Sequence, residues 1–271
     1  MGSDSYYLPL FIAEFILKKE HNILVRAFRA VDDPAACLQF LKGHASVLER
    51  FKIAHITSNN IAWTENECTI VFTMESLDTG ELLGGGRLQV YDYKLPLPIE
   101  TAIGYLDDKV YELVSEWAQE GVAEFSGLWN TREAVKMGLS SIFISRIGNA
   151  LAYQLKLGHV IALVAPAIVK TSYRSGFLLE TNLGNDGVFY YPKVDLIATV
   201  FRLSDVVNLL HADEEERQHA SELRGTMNLV RMELLRENVC NIHYELEIEN
   251  LFKSNFYHLS SSKEKCLKVS C

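Results

Sequence analysis

The chain has 271 residues, enough for one large domain or for a domain with appended segments. Its net charge of −9 speaks against nonspecific nucleic-acid binding, and its 48% hydrophobic content suits an ordinary globular core. The five cysteines (Cys37, Cys68, Cys240, Cys266, Cys271) are odd in number and lack C-x-x-C spacing, which argues against a zinc ribbon or a secreted disulfide framework. Reduced thiols in a cytoplasmic protein are the simplest reading.

Residues 1–22 form an N-terminal extension. Its stretch YYLPLFIAEFIL is apolar, but it is too short to span a bilayer and is interrupted by Glu14. It lacks the basic start and small-residue cleavage site of a signal peptide. A docking helix is expected, with contact to a membrane surface as the alternative. Ile23 to Val31 alternates and is rich in β-branched residues, so it reads as a strand. A helix follows, with Asp32 or Asp33 capping, Pro34 in the first turn and Gly43 as a point of division. CTIVFTMES and LLGGGRLQVYDY are two strands of a hairpin that turns at Thr79-Gly80. Gly84, Gly85 and Gly86 inside a strand mark a bulge or a close approach.

LPLPIETAIGYL reads as a loop, leading to a short helix around Lys109 to Gln119. The strand Val122 to Trp129 then carries Glu124, a carboxylate where an apolar residue is expected. It ends in a polar turn, Asn130 to Lys136, followed by Gly138 and a helix from Ser141 to Leu157. A strand feeding a helix in this way aims backbone N–H groups at an anion, and phosphate suits such a cradle. HVIALVAPAIV reads as a central strand covered on both faces. A short helix from Ile168 to Ser175, the strand GFLLET and the strand VDLIATVFRL follow. Asp213 to Glu237 reads as an amphipathic helix with acid at its start and an apolar stripe of Leu223, Met227, Val230 and Leu234. SSSKEKCLKVSC is expected to fray.

This order resembles the GNAT superfamily of N-acyltransferases over about Ile23 to Leu203. Tyr173-Arg174-Ser175-Gly176-Phe177 matches its Y-x-x-G-F motif, and Gly138 in Val135-Lys136-Met137-Gly138-Leu139-Ser140 stands at the first glycine of its pyrophosphate loop. GELLGGGRLQVY and VAEFSGLWN are similar to the G-x-x-R-L and E-x-S-R strands of acyl-homoserine-lactone (autoinducer) synthases and long-chain N-acyl amino acid synthases. Arg87, Glu124 and Ser126 fall on those motifs, and Gly127 stands where that branch has arginine. The resemblance implies an α/β fold with a mixed central sheet flanked by helices over 23–203, extended by residues 1–22 and by a helical appendage and tail over 204–271.

It also implies transfer of an acyl group from an acyl-CoA or acyl-carrier-protein thioester to the amine of a small amino-acid-like acceptor. Glu124 would be the general base, directly or through water, with its pKa raised by burial. Tyr173 would be the acid that reprotonates the thiolate, and Arg87 with Ser126 would contact the acceptor, Arg87 taking a carboxylate. Trp129, Asn130, Arg132, Lys136, Met137, Gly138, Leu139 and Ser140 would hold the phosphate arm of coenzyme A or of the carrier protein. The plainer readings are a Glu124–Arg87 ion pair, a packing tyrosine and a solvated basic turn. The eight histidines form no metal spacing with carboxylates, so no metal is expected. The alternative function is a non-catalytic acyl-thioester-binding or interaction protein on the same fold.

Overall fold

The computed structural model describes residues 19–50, 52–53 and 61–248. The expected N-terminal docking helix and the frayed C-terminal tail lie outside the described residues. One mixed sheet runs through the rest. Its strands are β1 (Glu20–Arg29), β2 (Thr69–Ser76), β3 (Leu82–Val90), β4 (Val122–Asn130), β5 (His159–Val164), β6 (Leu178–Leu179), β7 (Val188–Tyr190), β8 (Ile197–Leu203), β9 (Asn228–Leu235) and β10 (Asn238–Glu245). They lie in the order β6-β8-β5-β4-β3-β2-β1-β10-β9, with β7 also paired to β8.

The helices are α1 (Pro34–Arg50), α2 (Pro98–Ile103), α3 (Lys109–Ala118), α4 (Arg132–Met137), α5 (Ser141–Gln154), α6 (Val169–Arg174) and α7 (Glu214–Gly225). One sheet face packs on α5, where Phe143, Ile147 and Leu151 meet Phe72, Leu88, Phe125 and Phe201. The opposite face is covered by α1, through Phe40 against Val71 and Trp129, and by α2 and α3, through Ile99, Val110 and Val114 against Val122, Ile161 and Val200.

Asp33 is the residue that caps α1, its Oδ1 accepting from the Ala36 N–H at 2.9 Å. Gly43 does not divide that helix, which is continuous. It lies against the Trp129 indole, where a side chain would meet the ring. The stretch read as a proline loop contains α2, with Pro98 at its start where no N–H is needed.

The largest departure is at the C-terminus. The helix expected over Asp213 to Glu237 stops at Gly225, and the rest is the β9–β10 hairpin. The Leu223, Met227, Val230 and Leu234 spacing fits a helical stripe, but Val230, Met232 and Leu234 also alternate as a strand does. Those three are exposed on the outer strand, so they were never a buried helical face. Long-range pairing decided the outcome, because β10 runs parallel to β1 from Glu20↔Val239 to Arg26↔Glu245. The segment after Leu203 therefore completes the main sheet.

Replacing Gly43 with leucine should drive the new side chain into Trp129 and destabilise the fold by about 1–3 kcal/mol. The check is a lowered urea midpoint at unchanged m-value.

Candidate functional site

β4 and β5 are parallel partners only at Val122↔His159, Ala123↔Val160 and Glu124↔Ile161. Beyond that point β4 continues along β3 to Asn130, and β5 continues along β8 to Val164. The two strands therefore part, and Glu124 is the last residue of β4 still paired. It is 3% exposed. Its Oε2 accepts from the Ile99 N–H of α2 at 2.6 Å. Burial pushes its pKa up to about 8, raised further by the neighbouring Glu100 and opposed by the Ile99 hydrogen bond and the Arg87 charge. Glu100 is also buried, and its Oε2 accepts from the Leu97 N–H at 2.7 Å. Burial raises its pKa as well.

Arg87 and Ser126 are directly paired across β3 and β4, and Gln89 is paired with Glu124. Side chains opposite one another or two apart share a face, so Arg87, Gln89, Glu124 and Ser126 all point towards α1 and α2. The resemblance thus groups residues that the fold does bring together. Between the Gly85↔Trp129 and Arg87↔Ser126 pairs, β4 carries Gly127 and Leu128 where β3 carries Gly86 alone. This is a β-bulge, and Gly127 holds it at φ 62, where an arginine would be strained. The bulge shifts the alternation, so Ser126 and Trp129 face the same side although three residues apart. The glycine run signalled a bulge or a close approach, and both occur: β3 carries its own extra residue, Leu83, opposite β2, and a Cβ at Gly84 would stand 2.6 Å from the Trp129 carbonyl oxygen while one at Gly85 would run into that of Phe72.

Sequence reasoning missed two members of this face. His44 lies on the buried stripe of α1, one turn from Phe40, and Trp63 precedes β2 in a polar stretch. Phe40 is their common neighbour, with ring centroids 6.1 Å from His44, 5.8 Å from Trp63 and 6.0 Å from Trp129. The Arg87 guanidinium lies over Trp63 at 4.6 Å from the ring centre. Burial and the Arg87 charge together lower the His44 pKa to about 4, so its imidazole is neutral. Burial lowers the Arg87 pKa to about 10, with Glu124 opposing, so it remains charged at neutral pH. A polar residue on an otherwise apolar helical stripe was the only signal for His44.

The anion cradle differs from expectation. The turn after β4 is the short helix α4, capped by Thr131, whose Oγ1 accepts from the Ala134 N–H at 3.1 Å. The N–H groups of Gly138, Leu139 and Ser140 are already used, on Val135, Ala134 and Gly138 carbonyls. Gly138 (φ 97) lies under the β9–β10 hairpin, where a Cβ would stand 2.7 Å from Leu235 Cβ. Leu139 is buried, and its carbonyl accepts from Asn130 Nδ2 at 3.1 Å. Trp129 points to the α1 face and not to the turn. The Lys136 and Met137 carbonyls face the hairpin, Lys136 O accepting from Asn238 Nδ2 at 3.1 Å. The Arg132 and Lys136 residues remain exposed.

Tyr173 is 46% exposed and meets Phe201 edge-on at 5.0 Å. Phe201 faces α5, opposite to the side that Glu124 faces. Glu124 and Tyr173 therefore lie on opposite faces of the sheet. A cavity of about 930 Å³ lies elsewhere, lined by Arg26, Phe28, Asp33, Asn228 and Glu245 among others, and none of the expected site residues lines it. Among the described residues no group of histidine, cysteine and carboxylate side chains is placed to hold a metal ion, and no helix is long and apolar enough to cross a membrane.

No family model and no curated protein matches the chain. Among solved structures, it is similar to BjaI, a CoA-dependent acyl-homoserine lactone synthase, at TM-score 0.50 and 12% identity over 86% of this chain and 99% of that one. FeeM, an N-acyl amino acid synthase from uncultured soil microbes, aligns at TM-score 0.45 and 14% identity over 67% and 90%. An acyl-CoA N-acyltransferase from Pseudomonas aeruginosa aligns at TM-score 0.44 and 14% identity over 66% and 97%. The chain has a GNAT-like fold. At these identities the likeness is one of fold. The expected α/β architecture, a large mixed sheet flanked by helices, is the one observed.

The buried Glu124 has a consequence for stability. Its folded pKa of about 8 lies above the ordinary value of 4.5, so the folded state holds a proton that the unfolded chain releases. Its contribution is fully present below about 4.5 and is lost as pH rises through 8. Unfolding free energy should therefore fall over that window more steeply in the parent than in Glu124→Gln, as followed by urea denaturation at several pH values. Glu100→Gln removes a neighbouring negative charge and should lower the Glu124 pKa, visible in the carboxyl 13C titration. An unmoved titration would show that the two carboxyls are not coupled.

Proposed function

We propose that the protein is a cytoplasmic N-acyltransferase that moves an acyl group from an acyl-CoA or acyl-carrier-protein thioester to the amine of a small amino-acid-like acceptor. The observation that carries this reading is Glu124, a buried carboxyl with a pKa near 8 at the point where β4 and β5 part, on the same face as Arg87 and Ser126. A base poised near the working pH is what amine acylation requires. The opening beyond Glu124 leaves strand edges free to pair with the amide-bearing arm of a thioester donor.

In this mechanism Glu124 takes a proton from the acceptor ammonium, directly or through water. The amine attacks the thioester carbonyl, the C–S bond breaks, and Tyr173 returns a proton to the leaving thiolate. The products are an amide and a free thiol. Glu124 and Tyr173 reach the reacting carbonyl from the two sides of the sheet, so only a group lying in the gap meets both. Arg87 and Ser126 contact the acceptor. For the donor phosphates, the exposed Arg132 and Lys136 are available together with the first-turn N–H groups of α5, since the Gly138 to Ser140 N–H groups are engaged internally. The buried thiols Cys37, Cys68 and Cys240 fit a reducing compartment. The engaged cradle N–H groups favour a second reading, a thioester-binding protein without turnover.

Free-thiol release from a panel of acyl-CoA and acyl-carrier-protein donors with pooled amines tests the proposal. kcat/KM should rise with pH towards about 8 as Glu124 of the free enzyme ionises. Glu124→Gln should lower kcat by roughly 100- to 10,000-fold. Unchanged turnover in that variant would remove Glu124 as the base, and thermal stabilisation by acyl-CoA with no thiol release would favour the binding protein.

A further inference from the structure

The face around Phe40 holds buried polar atoms that the fold leaves without a hydrogen-bond partner among the described residues: His44 Nδ1, Trp63 Nε1, Thr69 Oγ1, Ser126 Oγ and Trp129 Nε1. Folded proteins satisfy nearly all such atoms, so a group of them on one face marks a place where a ligand or bound water completes the bonding. These residues share one neighbourhood. Phe40 touches His44, Trp63 and Trp129 through ring contacts, and Arg87 lies over Trp63 and opposite Ser126. Thr69 pairs with Gln89 and so lies on the same face. Gly127 lies beside the same group, for a Cβ there would stand 3.5 Å from the Phe40 ring and 3.7 Å from Arg87 Nη1.

The two indole N–H groups and the guanidinium can only donate, while His44 Nδ1 and the two hydroxyls can donate or accept. A group that accepts through several lone pairs and carries a negative charge fits this lining. A carboxylate has that chemistry, and the fixed donor fork of Arg87 suits it. Along β4, Glu124 lies two residues from Ser126, a separation of roughly 7 Å. An amine a short distance from the carboxylate would then lie at Glu124.

We propose that His44, Trp63 and Trp129 join Arg87 and Ser126 in a buried pocket that holds the free carboxylate of the acceptor. The pocket rests on the acyltransferase reading only for the identity of its ligand as the acceptor. His44, Trp63 and Trp129 bind the head group and take no part in proton transfer. An amine lacking the carboxylate leaves the Trp63 and Trp129 indole N–H groups unpaired and is rejected.

The experiment reads the pocket without turnover. The chain has three tryptophans, and Trp117, beneath Arg202 on the other helix pair, serves as the internal control. Indole N–H resonances of the full chain, assigned with Trp63→Phe and Trp129→Phe, are followed while each proteinogenic amino acid, and then its carboxamide, is added. The expected result is that the Trp63 and Trp129 signals move with one or more free amino acids, stay in place with the matching carboxamides, and that the Trp117 signal does not respond. His44→Phe should weaken that binding by about tenfold, the cost of one hydrogen bond to a charged group. If that variant does not fold, Ser126→Ala takes its place with the same expectation.

Indole signals that no amino acid moves, or that carboxamides move equally, overturn the pocket. Thiol release with carboxamides as good as with free acids would overturn it too, while leaving the acyltransferase reading intact. Indole shifts with amino acids but no thiol release from any donor would leave the pocket standing and sink the acyltransferase reading.

Discussion

β4 and β5 stay paired only from Val122 to Glu124, and the rest of the site depends on that early parting. A continuous sheet would have used every backbone group along both strands and sealed α1 and α2 from α5. Because the strands diverge, the sheet has an opening with a carboxyl at its vertex. The bulge at Gly127 acts next to it. Without the extra residue, strict alternation would turn Trp129 to the α5 face, away from Ser126. The two irregularities together turn a structural sheet into a polar chamber beside a gap.

The C-terminal segment holds the opposite face in register. Glu216 of α7 is buried and accepts from Arg146 of α5 through Nε at 2.6 Å and Nη2 at 3.0 Å, and from Arg174 Nη2 at 3.2 Å. Arg174 also donates to Asp213 Oδ2 at 2.8 Å, and its carbonyl accepts from the Asp213 N–H. Removing one member of such a buried group strands the others as uncompensated charges, which costs far more than the intact group contributes. The Y-x-x-G-F turn that carries Tyr173 is thereby fastened to α5 by residues that follow the motif by some forty positions. The β9–β10 hairpin does the same for Gly138, through Leu235 and Asn238.

Much of this was legible in the chain. Apolar runs marked β1 to β4, and a carboxylate inside an apolar strand singled out Glu124. Arg87 and Ser126 emerged from motif spacing, and register then gave them a common face. What escaped reading was set by distant contacts. The β9–β10 hairpin depends on β1, more than two hundred residues earlier, and local periodicity was compatible with either helix or strand. Gly225, the last residue of α7, is the weakest helix former in that stretch. His44 looked like any helical histidine until Phe40 and Trp63 surrounded it. The turn expected as a cradle folds into α4 and uses the N–H groups of Gly138 to Ser140 on nearby carbonyls, an internal pairing that polar composition alone does not reveal.

The electrostatics of the α1 face lead one step further. At neutral pH Arg87 is charged, His44 is neutral and Glu124 is mostly protonated. An acceptor with both a carboxylate and an ammonium would act on this cluster in two places. Its carboxylate would lie against the Arg87 guanidinium. Its ammonium, brought beside Glu124, would favour the ionised carboxyl, because a nearby opposite charge pulls a carboxyl pKa down. The base would then be protonated in the empty site, where an isolated buried carboxylate is costly, and ionised when the amine it must deprotonate arrives. An amine without a carboxylate could supply the second effect but not the first, and the donors around Phe40 would remain unpaired. Selectivity and activation of the base would then come from one binding event.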